Sequence, residues 1–250
     1  MNIEPNTFCW YGIATDVNAG TRFYPQALGW TLADSDDGAM FVAPGGAVSH
    51  IQPPEGAPAW CSYLSTDDLD ARTAKAGEAG TILVPPTPLA VGRFSIVMSP
   101  TGAVLGLYEV SETDTLAAPG PGSVHWVELQ STAPQTDLAW LASAFGFDHR
   151  TEEIDGAPYH ILEVNGAPRG GVTQAQTTRS AIVAWVEVLD LDRTLEKINQ
   201  HGGGLVERAP HALGHRALIT DPSGARFGII QPAAGSLLTT KREGGQFLTQ

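Results

Sequence analysis

The chain is short of positive charge. Its 250 residues carry 14 Lys and Arg against 27 Asp and Glu, a net charge of −13, which excludes nucleic acid as a partner, because that needs a basic footprint. The acidity does not in turn name a basic partner, since acidic surfaces most often serve solubility. Cysteine is scarcer still, with only Cys9 and Cys61. Two thiols make no disulfide framework, and in a reducing compartment a stable bridge between them is not expected. No apolar stretch approaches a membrane span. Residues 1–7 have neither a basic start nor an apolar run, so the expectation is a cytoplasmic protein with no secretory signal and no membrane partner. A Ser-His-Asp order, a phosphate loop and a dinucleotide fingerprint are also missing.

Turn formers and apolar residues, by contrast, are plentiful. The sequence holds 28 Gly and 18 Pro and is 42% hydrophobic, which suits a substantial core built from many short strands. It also repeats itself. Gly92-Arg93-Phe94-Ser95-Ile96-Val97-Met98-Ser99-Pro100-Thr101-Gly102 returns as Gly214-His215-Arg216-Ala217-Leu218-Ile219-Thr220-Asp221-Pro222-Ser223-Gly224, and the register holds for six further residues. Similarity of that length implies a duplicated unit, so each residue in one half has a counterpart to be compared with.

The hydrophobic patterning gives the unit itself. A β-prone run over 8–15 is followed by helical spacing over 16–28, with Gly29 as its stop, and by short strands over 30–34, 39–43 and 47–52. Pro25 is expected to shorten or kink that helix. The pattern restarts with a strand over 59–65, a helix over 67–79 and strands near 81–84, 93–98 and 104–110. A linker follows, rich in Pro and Gly, and the whole order then recurs, with helices over 137–145 and 190–201. The predicted fold class is α+β: four βαβββ modules in two tandem domains, 1–112 and 124–232, joined by 113–123 and trailed by a loose tail over 233–250.

Phe23-Tyr24 followed by Leu28-Gly29-Trp30, Ser65-Thr66-Asp67-Asp68-Leu69-Asp70 opening the second helix, and the two Pro-x-Gly turns resemble the vicinal oxygen chelate superfamily. That superfamily includes glyoxalase I, extradiol dioxygenases and bleomycin-resistance proteins. The resemblance covers about residues 5–232 and is strongest to tandem glyoxalase-like proteins of actinobacteria. It implies strands curled into an open cup, and a divalent metal held by one ligand from each of the first, fourth, fifth and eighth strands of a domain. Counted from the shared residues, those positions fall on Cys9, His50, Cys61 and Gly106 in the first half. The second half has His125, Gln174, Ala184 and Gly228, which do not make a metal site.

Two thiols and an imidazole are donors suited to Zn, Cu or Fe, and three ligands leave a coordination position open. Glu109 is a weaker substitute for the missing fourth. Packing is the alternative for each cysteine, and a hydrogen-bonded structural role for each histidine. Tyr11, Tyr63 and Tyr108 share the strand parity of the cysteines and Gly106, so they would line the first cup. Tyr11 and Tyr63 are the proton-transfer candidates; Tyr108, Arg93 and His125 are placed in the substrate pocket. The resemblance then implies a metal-dependent enzyme, a lyase or an oxygenase, acting on a small oxygenated and aromatic-compatible molecule as monomer or homodimer. The alternatives are a metal-free binder of a drug or natural product, and a metal-free catalyst of secondary metabolism.

Overall fold

Asp16 opens the first helix with its carboxylate accepting from the Ala19 amide, and Gly29 closes it in the left-handed conformation (φ 73°) with its N–H on the Pro25 carbonyl. That cap pair, acceptor first and glycine last, fixes both ends of α1. A computed structural model describes residues 3–35, 38–90, 92–111, 115–211 and 213–233; the tail expected beyond Ala233 lies outside them. The first module comprises β1 (Phe8–Ala14), α1 (Val17–Leu28), β2 (Thr31–Ser35), β3 (Gly38–Ala43) and β4 (Gly46–Gln52). The second comprises β5 (Ala59–Thr66), α2 (Leu69–Gly77), β6 (Thr81–Pro88), β7 (Arg93–Met98) and β8 (Val104–Glu109). The third holds β9 (Val124–Ser131), α3 (Pro134–Phe145), β10 (Asp148–Ile154), β11 (Ala157–Val164) and β12 (Ala167–Gln174). The fourth holds β13 (Ala181–Glu187), α4 (Leu191–Gln200), β14 (Gly204–His211), β15 (Gly214–Thr220) and β16 (Arg226–Pro232).

Each half forms one eight-stranded sheet, in the orders β2-β3-β4-β1-β5-β8-β7-β6 and β10-β11-β12-β9-β13-β16-β15-β14. The two orders are the same order shifted by eight strands. Four βαβββ modules in two tandem glyoxalase-like domains are therefore the fold, as the periodicity predicts.

Two helix readings differ from expectation. Pro25 does not shorten α1, which runs to Leu28. α3 begins at Pro134 rather than Asp137, because proline at the first helical position needs no N–H partner and Ala133 provides no side-chain cap. Asp137 is instead fully buried, accepting hydrogen bonds from Ser131 and Thr101.

By packing, the chain divides into two units that cut across its halves. The first consists of Met1–Tyr11, Cys61–Leu116 and Val127–Val183. Its core includes Leu64, Leu69, Leu105, Leu107, Leu129, Leu141 and Phe145, and the indole of Trp140 donates to the Ala76 carbonyl at 3.0 Å. The second consists of Gly12–Trp60, Ala117–Trp126 and Ala184–Gln250. An aromatic cluster of Phe23, Tyr24, Trp30, Phe41, Trp60 and Phe227 fills it, Trp60 stacking on Phe227 at 4.8 Å. Each such side chain contributes about 1.5–3 kcal/mol on burial. Within that core Asp221 accepts from Thr15 Oγ1 at 2.7 Å and Tyr24 Oη at 3.1 Å. Among the described residues no helix is long and apolar enough to cross a membrane.

Candidate functional site

Strand alternation sorts the residues of the first unit onto two faces of β5, β7 and β8. Leu64, Leu105 and Leu107 belong to the helix-facing core. Ser95 is also on that side, its hydroxyl 2.7 Å from Thr73 of α2. Cys61, Tyr63, Phe94, Gly106 and Tyr108 therefore share the opposite face. Across it Tyr63 pairs with Gly106 and Phe94 with Tyr108, and the rings of Tyr63 and Phe94 meet edge-on at 6.3 Å.

The meeting of Tyr63 and Gly106 decides the chemistry of this face. A Cβ on Gly106 would lie 2.3 Å from Cδ1 and 2.5 Å from Cε1 of Tyr63. The phenol ring thus occupies the space into which an eighth-strand carboxylate would project, and only glycine accommodates it. The thiols are equally engaged. Cys9 Sγ donates to the Tyr63 carbonyl at 3.6 Å. Cys61 is hydrogen-bonded to the Tyr63 hydroxyl and the Gly106 backbone, yet burial dominates and pushes its thiol up to about 12.

Among the described residues no three His, Cys, Asp or Glu side chains form a group able to hold a metal ion, so Cys9, His50 and Cys61 are not such a set. His50 stands half-buried on β4, opposite Met40 of β3. Glu109 does not substitute: its carboxylate accepts from the Leu69 amide and from Arg93. The residues present do not fit the metal that the resemblance implies.

Tyr11 and Tyr63 are both buried, at 6% exposure. Burial raises their phenols far above the ordinary value, with the neighbouring cysteine adding to it in each case. Both remain protonated, as hydrogen-bond donors rather than bases. Tyr108 is half-buried on the same face as Gly106. Arg93 stands apart from that face. It lies on the α2 side, one residue out of phase with the aromatic face, and its guanidinium grips both carboxylate oxygens of Asp70 at 2.9 and 3.0 Å. Phe94, its neighbour, takes the place on the aromatic face.

His125 carries the largest surprise. Its Nδ1 lies 2.9 Å from Glu187 Oε2, with the two side chains only 1% and 2% exposed. The amide and carbonyl of Glu187 bond to Ser123 and Gly122, as those of Ser65 bond to Thr7 and Asn6. That makes His125 the counterpart of Cys9 and Glu187 the counterpart of Ser65. β9 has eight residues where β1 has seven, and the extra one shifts the rest of the strand. Glu128, three residues beyond His125 on β9, accepts from Tyr159 Oη at 3.2 Å. The fifth-strand position of the second half is also moved by one. Trp185 pairs with Gly228 as Tyr63 pairs with Gly106, which makes Val183, not Ala184, the counterpart of Cys61. Gln174 is exposed, its amide reaching the Thr132 carbonyl.

Two eight-stranded sheets of this order, each built from a pair of βαβββ modules and backed by helices, make a tandem glyoxalase-like fold, similar to that of the vicinal oxygen chelate superfamily. The chain's relatives include the putative glyoxylase CFP32 of Mycobacterium bovis, 29% identical over 239 residues that span 88% of this chain and 92% of the relative. They also include the anthracycline biosynthesis protein DnrV of Streptomyces peucetius, 28% identical and covering 92% of this chain and 95% of that one. The fold is similar to the Mn(II)-bound glyoxalase of Novosphingobium aromaticivorans, with a TM-score of 0.62, 17% identity, and coverage of 91% of this chain and 82% of that one. It is similar as well to the 2,3-dioxygenase LapB of Pseudomonas sp. KL28, with a TM-score of 0.61, 13% identity and 93% coverage of both. No family model matches the sequence.

Proposed function

We propose that the protein is a metal-independent member of its superfamily that takes a planar, oxygenated aromatic molecule against the face formed by Tyr63, Phe94 and Tyr108. The observation that carries this reading is the Tyr63 ring over Gly106, which puts an aromatic surface where a ligand carboxylate would project. The face offers apolar rings and phenolic hydroxyls and no charged side chain. Such a surface stacks on a flat ligand and donates hydrogen bonds to its oxygens. Two relatives named for anthracycline biosynthesis support a polycyclic aromatic compound as the ligand class. The Mn(II)-bound glyoxalase supports the opposing reading, a metal-dependent enzyme.

Elemental analysis of protein purified without chelator, with binding of 1,2-dihydroxyanthraquinone followed by quenching of protein fluorescence, separates the two. The expected result is no stoichiometric metal, with binding that is indifferent to chelator and weakened by Tyr63→Leu. One equivalent of metal, with binding abolished by chelator, would overturn the proposal.

A further inference from the structure

The duplication provides an internal control for the corner where the second helix of each half meets its sheet. In the first half a side chain fills that corner. Arg93 reaches from β7 to both carboxylate oxygens of Asp70 on α2, at 2.9 and 3.0 Å, and to Glu109 of β8 at 3.4 Å. The second half keeps the frame. Asp190 caps α4 as Asp68 caps α2, and Gln231 accepts from the Leu191 amide as Glu109 does from that of Leu69. His215 pairs with Gln231 across the sheet as Arg93 pairs with Glu109. An imidazole thus stands in the place of the Arg93 guanidinium, and Asp192 in the place of Asp70.

The exchange leaves a space. A cavity of about 370 Å³ opens at this corner, lined by Leu189, Asp190, Asp192, Arg208, His215 and Gln231. It belongs wholly to the second packing unit. It lies on the α4 side of the sheet, since the next residue of β15, Arg216, is the one that meets Trp185 on the other face. Its acceptors are only half used. Asp192 Oδ1 takes one N–H of Arg208 at 2.6 Å, and Asp190 Oδ1 takes the Arg193 amide at 3.0 Å. Among the described residues the second oxygen of each carboxylate accepts no hydrogen bond, and the His215 side chain makes none. Apart from that imidazole, two carboxylates face one guanidinium, a surplus of negative charge in a chain that already carries −13. The field therefore favours a cation. Carboxylates alone would not define a site; the first half adds that the same frame holds a planar cation.

We infer that this cavity binds a small organic cation with planar N–H donors, a guanidinium or amidinium, in the place that Arg93 fills in the first half. The unused oxygens of Asp192 and Asp190 accept its N–H groups through charge-assisted hydrogen bonds. An apolar substituent on the ligand rests against Leu189, which is 79% exposed. The inference is independent of the aromatic face of the first half.

Methylguanidinium tests it, with acetate as the anionic control. Titrated at millimolar concentration into isotope-labelled full-length protein, methylguanidinium is expected to shift the backbone amide resonances of residues 189–193 and to saturate. His215→Arg supplies the missing guanidinium from the chain itself and should abolish those shifts. Asp192→Asn should weaken binding about fivefold, the upper range for an exposed charged contact. Both positions are exposed, so neither change disturbs the core. Thermal melts accompany each variant; if His215→Arg does not fold, Asp192→Asn decides. Tyr63→Leu should bind the probe as wild type does, which separates this site from the first-half face. The inference is overturned by amides of 189–193 that do not move or do not saturate, or by shifts unchanged in His215→Arg or Asp192→Asn. Saturable binding of acetate in place of the cation, or shifts lost in Tyr63→Leu, would overturn it as well.

Discussion

Replacing Gly106 with alanine is the sharpest perturbation of the first site. The added methyl would sit 2.3 Å from Cδ1 and 2.7 Å from Cγ of Tyr63, well inside van der Waals contact with a rigid ring. Tyr63 is 6% exposed and also held through its hydroxyl by Cys61, so the ring has little freedom to swing away. Overpacking of this kind costs about 1–3 kcal/mol. In a chain of this length that lowers the melting temperature by roughly 2–4 °C per kcal/mol. Tyr63→Ala alone leaves a cavity and costs about 3–5 kcal/mol, by analogy with other large aromatic deletions. In the double variant the alanine methyl enters the vacated space, so the two penalties overlap by about 0.5–3 kcal/mol, the range for side chains in contact. Thermal and urea melts of the four proteins measure that coupling. A Gly106→Ala protein as stable as wild type, or strictly additive penalties, would refute the claim that the ring fills the ligand position.

Two further expectations test the groups around that face and the core beneath the second. With its thiol pushed up to about 12, Cys61 carries thiolate only as pH rises towards that value. At pH 8 its alkylation by iodoacetamide should run roughly a thousandfold slower than that of an unperturbed cysteine, and accelerate on unfolding; equal rates in folded and unfolded protein would contradict it. Asp221→Asn removes the charge that accepts hydrogen bonds from Thr15, Tyr24 and the amides of Ser223 and Ala225. With charged-group hydrogen bonds worth about 1.5–3 kcal/mol, denaturant melts should show a loss of at least that order, whereas a neutral result would place the network outside the stability of the core.

The fold was legible in the sequence because its evidence is periodic and redundant. Strand and helix spacing recurs in four modules, and the seventeen-residue repeat around the Pro-x-Gly turns fixes their equivalence. The site was legible only in part, because a pocket depends on register. Cys61, Tyr63 and Gly106 fall on one face, whereas Arg93, expected in the substrate pocket, stands on the α2 side of β7 beside Asp70. The fourth-ligand position is closed for a reason that no spacing rule contains: the Tyr63 ring occupies the space beside Gly106, and packing is decided in three dimensions. Glu187 was missed altogether, although a signal for it existed. Setting the halves side by side gives Ser65 against Glu187, Phe94 against Arg216 and Cys9 against His125, two changes from neutral to charged and one from thiol to imidazole. The extra residue in β9 blurs that pattern.

Titration with Co(II) under anaerobic conditions tests the central claim most directly, since cobalt bound by thiolate gives an intense near-ultraviolet charge-transfer band. With Tyr63 seated on Gly106 and no group of three metal-binding side chains among the described residues, no such band should develop at one equivalent. A band that saturates at one cobalt per chain and disappears in Cys9→Ala/Cys61→Ala would contradict the account.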